Sequence, residues 1–168
     1  MRNISVLFVV VFVFSSQVLA QDSPAKTAMS QLSFLMGERS GEGWHSHGAS
    51  GTNEFFQESF GRFQMDGEVM FTEQKALLAP DYEVILHQSV SFYSFVEETG
   101  EIIVRTLLNH GGLRESTVEV KDEGFTWIGG GNRWEIMPWN EDGWIQRAFN
   151  LDSGDQVFEL VMEPVSGK

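Results

Sequence analysis

His45 and His47 stand two residues apart in the stretch GWHSHG, and an extended strand would turn both rings to the same side. Two imidazoles in that arrangement can begin a transition-metal site, with His87 or His110 as a third ligand. Surface histidines give the same spacing, so no metal is assigned on two of them. The arginines say more, because a cation among apolar residues is costly unless something neutralises it. Arg105 and Arg147 are flanked by large apolar residues, and Arg114 alternates with Val118 and Val120 along one face of a strand. Such an arginine can clamp a carboxylate through two parallel hydrogen bonds. It can equally pair with a glutamate of its own chain, such as Glu73. A third possibility is acid–base work by Glu73, His87 and Arg114 together, if the fold brings them to one place.

Nucleotide and hydrolase motifs are missing. There is no G-x-S-x-G elbow, no P-loop, no G-x-G-x-x-G opening a helix and no H-E-x-x-H. The glycine run IGGGN at Ile128–Asn132 lies between two strand-like stretches, which makes it a hairpin turn rather than a phosphate cradle. No catalytic residue is therefore assigned.

These side chains need elements to hold them. Ser23-Pro24 has the pattern of an N-cap with proline at the first helical position. Ala25, Ala28, Met29, Leu32, Leu35 and Met36 then recur as one amphipathic stripe, with Gly37 as its stop. Beyond it the pattern becomes short extended stretches broken by Thr99-Gly100, Gly111-Gly112, Glu123-Gly124, Asp142-Gly143 and Ser153-Gly154. The strands are expected at 40–47, 53–62, 68–78, 83–95, 101–109, 113–121, 125–128, 133–139, 144–151 and 156–163. Connections this short allow only antiparallel neighbours. A long meander of that kind avoids exposed edges by closing into a barrel or splitting into a sandwich. The expected fold is all-β: a closed or nearly closed antiparallel up-and-down barrel of about ten strands, with a short N-terminal helix capping it.

The stretch LSFLMGERSGEGW carries a likeness as well as a turn. Leu32, Leu35, Gly37, Gly41, Gly43 and Trp44 fit a helix-end-to-first-strand signature, L-x-x-L-x-G-x-W-x-G-x-G-W, and the chain from Gln31 to Pro164 resembles the small bacterial calycin-like β-barrels. The position of the usual first tryptophan holds Arg39. The resemblance implies a helix across the barrel base, a first strand bent at Gly41 and Gly43, and Trp44 packed inside. It also implies an interior able to hold one small molecule, with an arginine meeting a carboxylate as in fatty-acid-binding and lipocalin-like barrels. Nitrobindin-like members hold haem through a histidine near the C-terminus. Here no histidine follows His110, so that residue does not carry over and no cofactor is assigned.

Residues 1–20 have the form of a secretory signal: Arg2, an apolar run Ile4–Phe14, then Val18-Leu19-Ala20. The run is too short for a stable membrane span. The expectation is an exported, periplasmic or extracellular protein whose residues 21–168 form a single domain. The absence of cysteine excludes disulfides and thiolate chemistry. A formal net charge of −13 disfavours nucleic acid and anionic membrane surfaces as partners. The oligomeric state stays open. The expected partner is a small apolar or amphipathic molecule, neutral or anionic, bound inside by Trp44, Phe71, His87, Phe92, Arg105, Arg114, Trp127, Trp134, Arg147 and Phe149. A barrel enzyme using interior His, Glu and Arg, and an interaction or structural domain with a filled core, are the alternatives.

Overall fold

The computed structural model describes residues 22–165, so residues 1–20, where a secretory signal is expected, fall outside the described residues. Ser23 caps helix α1 (Pro24–Ser30), its Oγ accepting from the Lys26 amide at 3.1 Å. The helix is shorter than the apolar stripe predicts: it stops at Ser30, and a 3-10 turn at Ser33–Leu35 carries the stripe onward. Met36 is already extended and exposed, so Gly37 opens the first strand instead of closing the helix. Met29 and Leu32 are fully buried and Leu35 nearly so. All three join the core with Met70, Tyr93, Phe125, Ile136, Trp144, Leu160 and Met162, plugging one end of the sheet. Each such side chain removed from water contributes about 1.5–3 kcal/mol.

Ten strands follow: β1 (Gly37–Ser46), β2 (Thr52–Gln64), β3 (Val69–Leu78), β4 (Ile85–Val96), β5 (Glu101–Leu108), β6 (Leu113–Lys121), β7 (Gly124–Gly129), β8 (Asn132–Trp139), β9 (Gly143–Asn150) and β10 (Gln156–Pro164). Each pairs antiparallel with its neighbours in sequence, and β1 also pairs with β10, which closes the barrel. The sheet is therefore one ring, not two stacked layers. The β6–β7 ladder is the weakest, with pairing confined to Glu119–Lys121 against Gly124–Thr126. Nearer the other end, Ser116 Oγ donates across this seam to the Ile128 carbonyl at 3.2 Å.

The β1–β10 seam explains the glycines before Trp44. A Cβ on Gly41 would come closer than 3.0 Å to the Val161 carbonyl of β10. One on Gly43 would strike both the Glu159 carbonyl and the ring of Phe55. Only bare backbone lets β1 lie this tightly against β10 and leaves room for Phe55 inside. Trp44 does not pack inside, as the resemblance implied. Gly43 sits opposite buried Leu160 and Phe55, so alternation turns the next residue outward, between Glu54 and Glu159.

Candidate functional site

The helix-plugged half of the barrel is filled; the other half is open. Two confluent cavities, of about 160 and 520 Å³, occupy it. They share Gln74, His87, Arg114, Gly129, Trp134 and Gln146 as lining and form one chamber, whose mouth lies at the β1–β2 and β7–β8 connections.

Strand alternation builds the wall. Phe125 and Trp127 of β7 point inward, Trp127 stacks on Trp134 of β8 at 5.8 Å and 9°, and Trp134 meets Phe158 of β10 edge-on at 5.3 Å. Trp134 and Phe158 belong to strands that are not neighbours. They touch because Ala148, fully buried on β9, lies between them in register and is too small to separate them. Phe158 continues to Phe55 at 5.5 Å. The Gly130-Gly131 turn, with both residues left-handed, sets β8 against β7, and the Gly129 carbonyl accepts from the Trp134 indole at 3.0 Å. The glycine run is thus a hairpin turn, and its function is to hold a tryptophan.

The centre is less oily than the aromatic content suggests. Gln57, Ser59, Thr72, Ser89, Ser91 and Gln146 are all buried. On β2, β3 and β4 these polar positions alternate with Phe56, Phe60, Phe71, Val90 and Phe92, and the polar set faces in. Ser91 and Thr106 hydroxyls satisfy each other at 2.8 Å. Gln57 is 4% exposed, lines the chamber, and its Nε2 has no hydrogen-bond partner. A buried amide left unpaired costs about 1–3 kcal/mol, which a bound polar group would recover. At the floor, burial pushes the Tyr93 phenol far above its usual range, so it stays a neutral hydroxyl.

Of the ten residues assigned from sequence, His87, Arg114, Trp127 and Trp134 line this chamber. The other six are on the outer surface. Phe71 and Phe92 pack together at 5.4 Å, with the Arg62 guanidinium 5.2 Å above Phe71. Arg105 pairs with Glu115 at 2.7 Å, Arg147 with Glu159 at 2.9 Å, and Phe149 lies under Arg133 at 5.1 Å. Trp44 completes the set. Period-two alternation separates two faces of a strand without saying which one the closed sheet turns inward. Glu73 is exposed, opposite Phe60 and Val90, so Glu73, His87 and Arg114 do not meet. Sequence reasoning missed Phe55, Phe158, Gln57, Gln74 and Gln146. The alternation of Ser89, Ser91 and Tyr93 against Val90 and Phe92 was the available signal that β4 lines something polar.

The four histidines gather at the mouth as two pairs: His45 with His47, ring centres 4.5 Å apart, and His87 with His110, 6.4 Å apart. No group of three or more metal-ligating side chains converges among the described residues. Burial lowers the His87 pKa, with His110 and Arg114 adding to the effect. Burial, then His47, lowers that of His45. Both shifts disfavour the charged imidazole, and Arg114 is the one lysine or arginine that lines the chamber. None of the ion pairs among the described residues involves it.

Fold and chamber together define a closed ten-strand β-barrel with one plugged end and one open, aromatic-and-amide-lined end. No protein-family model matches the chain, and a search of curated proteins gives no significant match.

Proposed function

We propose that this is an exported, calycin-like barrel that binds a small amphipathic anion in its open half. The observation that carries the proposal is Arg114. It is the one formally charged side chain lining the chamber apart from titratable histidine, and no aspartate or glutamate lines it. This holds in a chain of formal net charge −13, where the acidic residues are kept on other surfaces. A lone guanidinium, exposed at the rim of a chamber lined by tryptophan and phenylalanine, suits an acid group joined to an apolar body. The volume supports a drug-sized molecule, since pockets of about 300–1,000 Å³ take such ligands. The form of residues 1–20 supports export, and the closed antiparallel meander after a capping helix supports the calycin likeness.

The test is titration with 8-anilinonaphthalene-1-sulfonate, an aromatic anion, read by its own fluorescence and by quenching of the tryptophans. The wild-type protein should bind one molecule, and Arg114→Gln should weaken it at least about tenfold, the effect of removing a charge-assisted hydrogen bond. Equal affinity of the two proteins, or no saturable binding at all, would sink the proposal.

A further inference from the structure

The chamber has two unlike sides, and this sets the shape of what fits it. Around the ring, β3 to β6 contribute Gln74, His87, Ser89, Ser91, Thr106 and Arg114. Across from them, β7, β8, β10 and β2 contribute Trp127, Trp134, Phe158 and Phe55, joined edge to edge or face to face. The division is a bias: Ala76, Leu86, Val104 and Leu108 line the polar arc, and His45, His47, Gln57, Asn132 and Gln146 line the aromatic one. The hydroxyls nonetheless come from β4 to β6 and the tryptophan and phenylalanine rings from β7, β8, β10 and β2, so one half of the wall offers hydroxyls while the other offers rings.

A flexible alkyl chain would satisfy the aromatic side but lay methylene groups against Ser89, Gln57 and Gln74, leaving their polar atoms dry, and would leave the remaining hydrogen-bonding capacity of the Ser91–Thr106 pair unused. A uniformly polar molecule would waste the aromatic side in the same way. The aromatic rings also leave little freedom to adapt: Trp127 is held between Phe125 and Trp134, and Trp134 is anchored through its indole nitrogen. A rigid wall selects a rigid partner, because neither then loses much freedom on docking.

Resting on the reading of the chamber as an anion site, we infer that its ligand is a compact, ring-based acid that is hydroxylated on one face and apolar on the other. The apolar face lies on Trp127, Trp134 and Phe158. Hydroxyl groups on the opposite face meet Ser89, the Ser91–Thr106 pair and Gln74. The acid group meets Arg114 at the mouth. Gln57, whose Nε2 is buried without a partner, supplies a further donor from the aromatic side.

Three probes of equal charge separate the possibilities in one calorimetric series, each below its micellar concentration. Cholate has a fused-ring body with several hydroxyls on one face; lithocholate has the same body and acid group with a single hydroxyl; laurate is a flexible chain. Cholate should bind at least about tenfold more tightly than either of the others, since each of those leaves polar wall groups unpaired. Thr106→Val keeps the side-chain shape, and should weaken cholate severalfold while leaving laurate unchanged. Laurate or lithocholate binding as tightly as cholate would overturn the inference and leave the anion site standing. So would a Thr106→Val effect that is absent or equal for all probes. Failure of all three anions and of the naphthalene sulfonate to bind would remove both.

Discussion

Replacing Gly41 with alanine isolates the contact that closes this barrel. Gly41 has no left-handed backbone, so alanine brings no conformational penalty of its own. Its Cβ would meet the Val161 carbonyl oxygen and carbon and the Met162 Cα, all of them backbone atoms of β10. A side-chain tip can swing aside, whereas these atoms belong to the ladder that runs from Arg39–Pro164 to His45–Phe158. Relief requires β1 and β10 to part locally. Overpacking in a tight interior costs about 1–3 kcal/mol, and a backbone obstruction lies at the upper end, about 3 kcal/mol. At about 2–4 °C per kcal/mol for a domain of this size, the melting temperature should fall by about 6–12 °C. The five tryptophans report unfolding in urea. Gly154→Ala is the control: its φ is +76° and nothing lies within 4 Å of the added Cβ. It should cost only about 1 kcal/mol, the penalty of a left-handed non-glycine residue. If Gly41→Ala unfolds within about 0.5 kcal/mol of wild type, as an ordinary surface substitution does, then β1 does not close on β10 as described.

Stability should fall as the solution is acidified below about pH 6.5, because His45 and His87 have pKa values below the ordinary 6.5 when folded. The unfolded chain takes up these protons first, so the contribution is complete above pH 6.5 and is lost as pH drops through the lowered values. Urea midpoints measured across that window should show the decline, and His87→Gln should flatten part of it; a level or rising midpoint would contradict the burial assigned to these rings. Arg147→Gln should cost no more than about 1 kcal/mol, since the pair with Glu159 is partly exposed, and should leave binding of the naphthalene sulfonate unchanged. Weakened binding in that variant would mean that the outer arginines take part in the site after all.

The elements were legible in the order of residues alone. Turn glycines marked the hairpins, Ser23-Pro24 marked the helix start, and short connections left only antiparallel neighbours, so ten strands and their order were legible. That order also determined the two faces of each strand, as at β6, where Arg114, Ser116, Val118 and Val120 share one side. What alternation could not supply was which side becomes the inside. On β2 to β4 a bias toward apolar interiors picks Phe71 and Phe92, and the barrel turns Thr72, Ser89 and Ser91 inward instead. That choice belongs to closure. β1 meets β10 through Gly41 and Gly43 and closes the ring, and the face each strand then presents to the inside is set by the whole closed sheet rather than by that strand's own composition. The meeting of Trp134 with Phe158 across Ala148, and of Arg114 with a chamber free of carboxylates, arises between strands distant in sequence. Only the closed ring brings them together.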